Sequence, residues 1–268
     1  MSWLQTLYRQ RLNRVMAERS LTDLSKSAII FAPHPDDETL GCGGTIIRKK
    51  AAGAAVKLVF MTDGSGSHAS LIAPEQLSQI RQQEALAAAR TLGIEAPDVT
   101  FFNFSDGQLD RHLDAAIDRV SEFLQASPVD EVFVPYHREP PADHAATYQA
   151  VVRSIARLPG NPKIYAYPIW YWEHWPWMAP AGSGKRDRLR QLKATVTSGF
   201  GAKIFTDFQH SVCIERAIAQ KKAALDQHAS QMQKPAGRPE WPTLGDVSQG
   251  DFLACFFQNY EIFHSPSR

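Results

Sequence analysis

Directly after the apolar run AIIFAP (28–33), the chain packs His34, Asp36, Asp37 and Glu38 into five positions. Ionisable groups are costly to bring against a buried strand unless they bind or react with something. His34 and Asp37 are three apart in the turn that leaves the run, so an imidazole nitrogen and a carboxylate oxygen can converge on one point. Such a pair suits Zn²⁺, whose catalytic sites take three protein ligands and keep a position for water. A third ligand is at hand in REPPADHAAT (138–147), where His144 opens a helical stretch behind another apolar run. Asp36, between the first two, is placed to stay off the metal and hold its bound water. A His₂Asp site also accepts Fe²⁺ or Co²⁺. The competing structural reading has His34 closing a turn and the aspartates capping the next helix.

The elements that must position these residues alternate along the first two-thirds of the chain. Runs at 28–33, 56–62, 99–104, 130–136 and 163–169 read as buried strands, and 41–53, 75–93, 112–126 and 143–157 as helices. That order predicts an α/β fold: a Rossmann-like parallel sheet covered by helices on both faces, in a single domain. Ligands in such sheets sit beyond the carboxyl ends of the strands. The polar clusters His34–Glu38, Asp63–His68, Ser105–Asp106 and His137–His144 all fall at those ends. Glycines 41, 43 and 44 come after the charged turn, not directly from the strand, so they are read as helix packing and not as a dinucleotide fingerprint. Beyond 170 the pattern loosens into an aromatic cluster WYWEHWPW (170–177), a loop AGSGKRDR (181–188), a helix over 213–231, a Pro/Gly-rich stretch and a final apolar helix or strand.

The totals exclude several classes. With 268 residues, 44% hydrophobic and 21% charged, the chain buries a sizeable core, and a formal charge of +1 gives no nucleic-acid footprint. Cys42, Cys213 and Cys255 are scattered, which favours reduced thiols in a cytoplasmic setting. No run is long enough for a membrane span. Residues 1–24 are expected to form an amphipathic helix with Leu4, Leu7, Tyr8, Leu12, Val15 and Met16 in one stripe and Arg9, Arg11, Arg14 and Arg19 interspersed. It is read as docking on its own domain or on a dimer partner, with membrane-surface association through the arginines as the alternative. The domain reading is completed by a catalytic domain over 25–235 and a C-terminal segment, 236–268, packing on it.

The motifs PHPDDETLGCGG (33–44), MTDGSGSH (61–68), IRQQEALAAARTLGI (80–94), FSDGQL (104–109), PADHAAT (141–147) and LDQHASQ (225–231) occur in an order that resembles the LmbE-like, or PIG-L, zinc-dependent deacetylases. These cleave N-acetyl groups from GlcNAc-containing substrates. The resemblance covers roughly residues 28–231. It implies that His34, Asp37 and His144 bind zinc and that Asp36 is the general base for zinc-bound water. It also implies that Arg81 lies near the substrate, with Glu84 beside it in the same motif. Asp106 matches the acidic residue of the family's DG segment, and Asp143 matches a carboxylate that orients a ligand imidazole.

One position departs from the family. Where a histidine often precedes the last Asp-His and helps hold an oxyanion, this chain has Pro141, which donates nothing. His137, Arg138 and His228 are the nearest substitutes, in no settled order. Three further readings stay double. Arg81 and Glu84 fit an i, i+3 ion pair as well as substrate contact. His68 fits a polar loop as well as a sugar hydroxyl, and the tryptophans fit a core or a dimer face better than a sugar platform. The expected reaction is removal of an N-acetyl group from a GlcNAc-type conjugate. The alternatives are a metal hydrolase acting on another amide or ester, and a non-catalytic sugar-binding relative.

Overall fold

The structure, a computed structural model, describes residues 3–179 and 185–266. It opens with α1 (Trp3–Ala17), β1 (Ala28–Ala32), α2 (Asp37–Ala51), β2 (Val56–Thr62), α3 (Pro74–Leu92), β3 (Val99–Phe104), α4 (Leu113–Ala126), β4 (Glu131–Pro135), α5 (Ala142–Ile155) and β5 (Lys163–Tyr167). The second part holds α6 (Lys185–Thr197), α7 (Lys203–Asp207), β6 (His210–Cys213), α8 (Ile218–Leu225), α9 (Ala229–Met232), α10 (Asp251–Phe256) and β7 (Tyr260–Phe263). The five N-terminal strands form one parallel sheet in the order β3-β2-β1-β4-β5. Strands β1 and β4 are buried along their whole length, the signature of a sheet covered on both faces. Helices α2 and α3 pack with α8 on one face, and α4 packs against α5 on the other.

The order places β1 beside β4 at the centre, where the chain's progression along the sheet reverses. A crevice opens there beyond the strand ends. Helix α2 can lie close to the sheet because of its glycines. A Cβ on Gly41 would come within 2.3 Å of the Tyr167 ring, and one on Gly44 within 2.5 Å of Ile214.

Beyond the sheet, β6 and β7 form an antiparallel pair, and His264 just past β7 exchanges two backbone hydrogen bonds with Ala166 of β5. The exposed sheet edge is thereby covered. Glu261 of β7 accepts the amides of Gly44 and Thr45 and pairs with the buried Lys221 of α8 at 2.7 Å. Helix α1 lies against β6 and β7, burying Leu12 and Met16, while Leu7 of the expected stripe is half exposed.

Three expectations are corrected. The 181–188 loop is helical from 185 onward, as the start of α6, while 181–184 lie outside the described residues. The single helix over 213–231 is split into α8 and α9, because His228, buried and bonded to Glu38, turns the chain between them. The preceding strand β6 was not anticipated, being too short to show alternation, and the final segment is both helix (α10) and strand (β7). In the aromatic cluster, Trp172 and Trp177 are core residues, whereas Trp170 is only part-buried.

His174, in the same cluster, is 3% exposed, its Nε2 has no partner, and burial pulls its pKa down to about 4. The unfolded chain then binds this proton more readily than the folded one. Stability conferred by neutral His174 is complete above its unfolded value and is lost as pH falls from about 6.5 towards 4, by up to about 3 kcal/mol. Denaturant titrations across that window should show the slope, and His174→Phe should flatten it. An unchanged slope in the variant would assign the acid sensitivity elsewhere.

Candidate metal centre

The turn after β1 is tight and strained. Asp36 has φ 129°, a region that L-residues rarely adopt, at a cost of about 1–3 kcal/mol that the surroundings must offset. Its carbonyl accepts the amides of Thr39 and Leu40, starting α2, but its side chain makes no capping bond. The capping reading of this aspartate therefore fails. The carboxylate is held instead by Arg81 of α3, whose Nη2 donates to Asp36 Oδ2 at 3.1 Å and to the Pro35 carbonyl. Arg81 Nη1 donates to the Gly64 carbonyl at 3.0 Å. A side chain at Gly64 would sit 3.0 Å from the guanidinium, in a backbone with φ +65°, so glycine is required there.

Beneath this turn, Glu38 accepts the Asp36 amide at 2.9 Å, the Thr39 hydroxyl at 2.6 Å and His228 Nε2 at 3.0 Å. Glu38 and His228 are both fully buried. Burial opposes charge on each, but their mutual attraction raises the His228 pKa and lowers that of Glu38. The pair is a clamp under the strained backbone.

Helix α2 begins four residues earlier than the periodicity indicated, which puts Asp37 in its first turn. Asp37 Oδ2 lies 3.2 Å from His34 Nδ1 and 3.4 Å from His144 Nε2. His144 comes from the first turn of α5, after the neighbouring strand β4. The ligating atoms of His34, Asp37 and His144 all lie within 4.8 Å of one another. His144 is 0% exposed, and neither ring nitrogen has a hydrogen-bond partner. Burial drives its pKa down to about 4, keeping the imidazole neutral and able to ligate. An orphaned buried imidazole facing a carboxylate and a second imidazole is a donor set that fits a divalent cation.

Two outer carboxylates flank the histidines. Asp143 accepts the amides of Gly107 and Leu109 and lies 3.2 Å from His34 Nε2, so it orients His34, not its sequence neighbour His144. Asp106 Oδ1 is also 3.2 Å from His34 Nε2, and its Oδ2 accepts the Gly66 amide. His34, Asp106 and Asp143 form a second group of possible ligands; its aspartates accept backbone amides, as Asp37 Oδ2 does from His34, but it lacks the second imidazole that His144 supplies. The carboxylate that faces the second nitrogen of His144, beyond hydrogen-bond distance, is Glu139, which sequence reasoning missed. Its Oε2 lies 3.6 Å from His144 Nδ1, and its carboxylate accepts the amides of Ile169, Trp170 and Tyr171. Burial pushes Glu139 up to about 8 despite those three bonds. The REPP context offers no local signal for this role.

A cavity of about 420 Å³ opens over the cluster, lined by His34, Asp36, Asp37, Ser67, Arg81, Asp106, Pro141, Trp170 and Gln231 among others. Burial, opposed by Arg81, raises the Asp36 carboxyl above the ordinary carboxylate range. Several expected contacts lie elsewhere. His68 is stacked on Trp241 at 4.1 Å, with its nitrogens bonded to Ser67 and Pro242. His137 packs against Tyr136 and His264, and Arg138 pairs with Asp207. His228 is under the floor. None of the three proposed substitutes for the missing histidine lines the cavity; Ser67 and Gln231 are the uncharged side-chain donors on its wall apart from the Trp170 indole. Arg81 and Glu84 do not pair with each other, since Glu84 accepts both the amide and the hydroxyl of Ser230.

A profile of the family described as PIG-L: GlcNAc-PI de-N-acetylase matches residues 29–155, from β1 through α5. That span contains the clustered His34, Asp37 and His144 with Asp36, Arg81 and Asp143. A probable N-acetyl-alpha-D-glucosaminyl L-malate deacetylase 2 of Bacillus cereus is 30% identical over 155 residues, covering 54% of this chain and 69% of that protein. The diacetylchitobiose deacetylase of Thermococcus kodakarensis is 27% identical over 139 residues, covering 50% of this chain and 51% of that one. Among solved structures, the N,N'-diacetylchitobiose deacetylase of Pyrococcus horikoshii superposes with a TM-score of 0.64 at 20% identity, over 99% of this chain and 94% of that one, and shares its fold. Fold and site define a deacetylase-type α/β protein with a His/Asp cluster. This chain belongs to the PIG-L family.

If Glu139 orients His144, Glu139→Gln should weaken metal affinity by the ~10–100-fold typical of an outer-shell partner. Competition against a chromophoric chelator measures this, and an unaltered affinity would remove Glu139 from the site. His228→Ala should leave Glu38 buried without its partner and cost about 3–5 kcal/mol of unfolding free energy. A loss below about 1 kcal/mol in denaturant titration would mean that the clamp is not an ion pair.

Proposed function

We propose that the chain is a metal-dependent hydrolase that removes the N-acetyl group from a GlcNAc-type sugar conjugate. The observation that carries this reading is the convergence of His34, Asp37 and His144 beneath a cavity into which Asp36 projects, held off the cluster by Arg81. The family and the relatives' printed activities support the substrate class. His34 Nδ1, Asp37 Oδ2 and His144 Nε2 would hold the cation, which when bound supplies a Lewis acid for the acetyl carbonyl and acidifies water. Zinc suits the two nitrogens and one oxygen, and Fe²⁺ or Co²⁺ suit them as well.

The chain's own residues do the proton work. Asp36 accepts a proton from the attacking water and returns it to the departing amine, so one carboxylate serves both steps. Its raised pKa suits both halves of that task. Arg81 fixes the carboxylate's direction, and the Glu38–His228 clamp fixes its backbone. Asp143 and Asp106 hold His34, and Glu139 holds His144. Ser67 and Gln231, which line the same cavity as Pro141, are the candidates to donate to the developing oxyanion in its stead. Trp170 supplies an aromatic wall for the sugar face.

Asp36→Asn should retain the metal yet lose acetate release by ~10²–10⁴-fold, and His144→Ala should lose the metal itself. Elemental analysis beside an acetate assay on a panel of N-acetyl sugars and esters separates the outcomes. Full turnover by Asp36→Asn, or by chelator-treated protein, would refute the mechanism. Hydrolysis confined to esters would reassign the substrate.

A further inference from the structure

Apart from Ile80, every large apolar side chain that stands exposed among the described residues lies on α1 or on α6 and the turn after it. On α6, Leu189, Leu192 and Val196 are 65%, 59% and 56% exposed, and their spacing of three and four residues makes them one stripe. Phe200, 55% exposed, follows in the turn. The opposite face of the helix, at Gln191, Thr195 and Ser198, is buried. On α1, Trp3 and Leu7 are exposed and lie four apart, and Arg11 and Arg14 continue the same face. The two elements touch where Tyr8 Oη donates to the Phe200 carbonyl at 3.0 Å.

Charge decides what such a face can meet. The cations described beside the apolar row are Lys193 and Lys203, with Arg11 and Arg14 on the α1 face, in a chain whose formal net charge is +1. Lys193, inside the apolar stripe, is exposed, as is Lys203. A second copy of the same face would bring these cations together. A nucleic acid would use the cations and leave the apolar row wet. An apolar stripe interleaved with Lys/Arg matches the boundary of an anionic bilayer, where apolar side chains enter below the headgroups and cations stay at the phosphates.

We propose that the exposed face of α6, extended by Phe200 and by Trp3 and Leu7 of α1, docks this protein peripherally on an anionic phospholipid surface. The deacetylase reading is not needed for this. The inward face of the same helix, through Gln191, Ala194 and Ser198, lines a cavity of about 290 Å³ that shares Trp170 with the catalytic cavity. Trp170 is thus common to the cavity behind the docking face and the cavity over the His/Asp cluster.

Co-sedimentation of the full chain with phosphatidylcholine vesicles, with and without phosphatidylglycerol, tests the proposal. The expected result is binding only when phosphatidylglycerol is present, weakened by salt. The double variant Leu192→Ser/Val196→Ser should bind at least ~10-fold more weakly, and Lys193→Glu should also lose affinity. Both should keep the parent's thermal midpoint. Absence of binding to the anionic vesicles, or undiminished binding by the double variant, would overturn the proposal. So would light scattering that shows the parent as a dimer and the double variant as a monomer, since the face would then belong to a second copy.

Discussion

Ile29 of β1 lies in register with Val132 of β4, and the two strands run parallel at the centre of the sheet. From this pair the chain departs in opposite directions, to β2 on one side and β5 on the other. The turns that leave them must therefore face each other across a crevice. One delivers His34, Asp36 and Asp37; the other delivers Glu139, Asp143 and His144. No local feature of either turn could assemble the cluster. Neighbouring strand ends bring together residues more than a hundred positions apart, and the rigidity of a sheet covered on both faces holds them there.

Around that crevice the protein accumulates buried polarity and backbone strain, with a partner for almost every part of it. Asp36 has a conformation suited to glycine, yet its amide, carbonyl and carboxylate are each engaged, by Glu38, by α2 and by Arg81. Glu38 in turn is matched by His228 from the far end of the domain. Among the described residues there, Arg81 Nε and His228 Nδ1 are single unpartnered atoms on otherwise engaged side chains, whereas His144 is buried with neither ring nitrogen hydrogen-bonded. The proposed cation beside Asp37 would engage Nε2, leaving Nδ1 to face Glu139.

The second half of the chain serves the first. Glu261 accepts the amides of Gly44 and Thr45 of α2, Lys221 bonds Glu261 and the Leu40 carbonyl, and His264 bridges to β5 at Ala166. Ser230 engages Glu84, and Gln231 next to it reaches the cavity wall. The region beyond the family profile thus helps line the cavity, through Ile169, Trp170, Gln231 and Leu244.

The amino-acid sequence by itself determined the alternation of strands and helices, the parallel sheet, and the ionisable clusters at the strand ends. Those properties are written in short-range periodicity and in the cost of placing charge behind apolar runs. Tertiary structure alone decided the partners. Arg81 could pair with Glu84 on its own helix, but the fold gives it Asp36; Asp143 sits beside His144 in the chain, yet it serves His34. Glu139 and Gln231 acquire their places, and His68, His137 and His228 lose the ones expected of them, through packing between distant segments. A hydrogen bond across a hundred residues leaves no period and no spacing behind, so nothing in the local pattern could have revealed it.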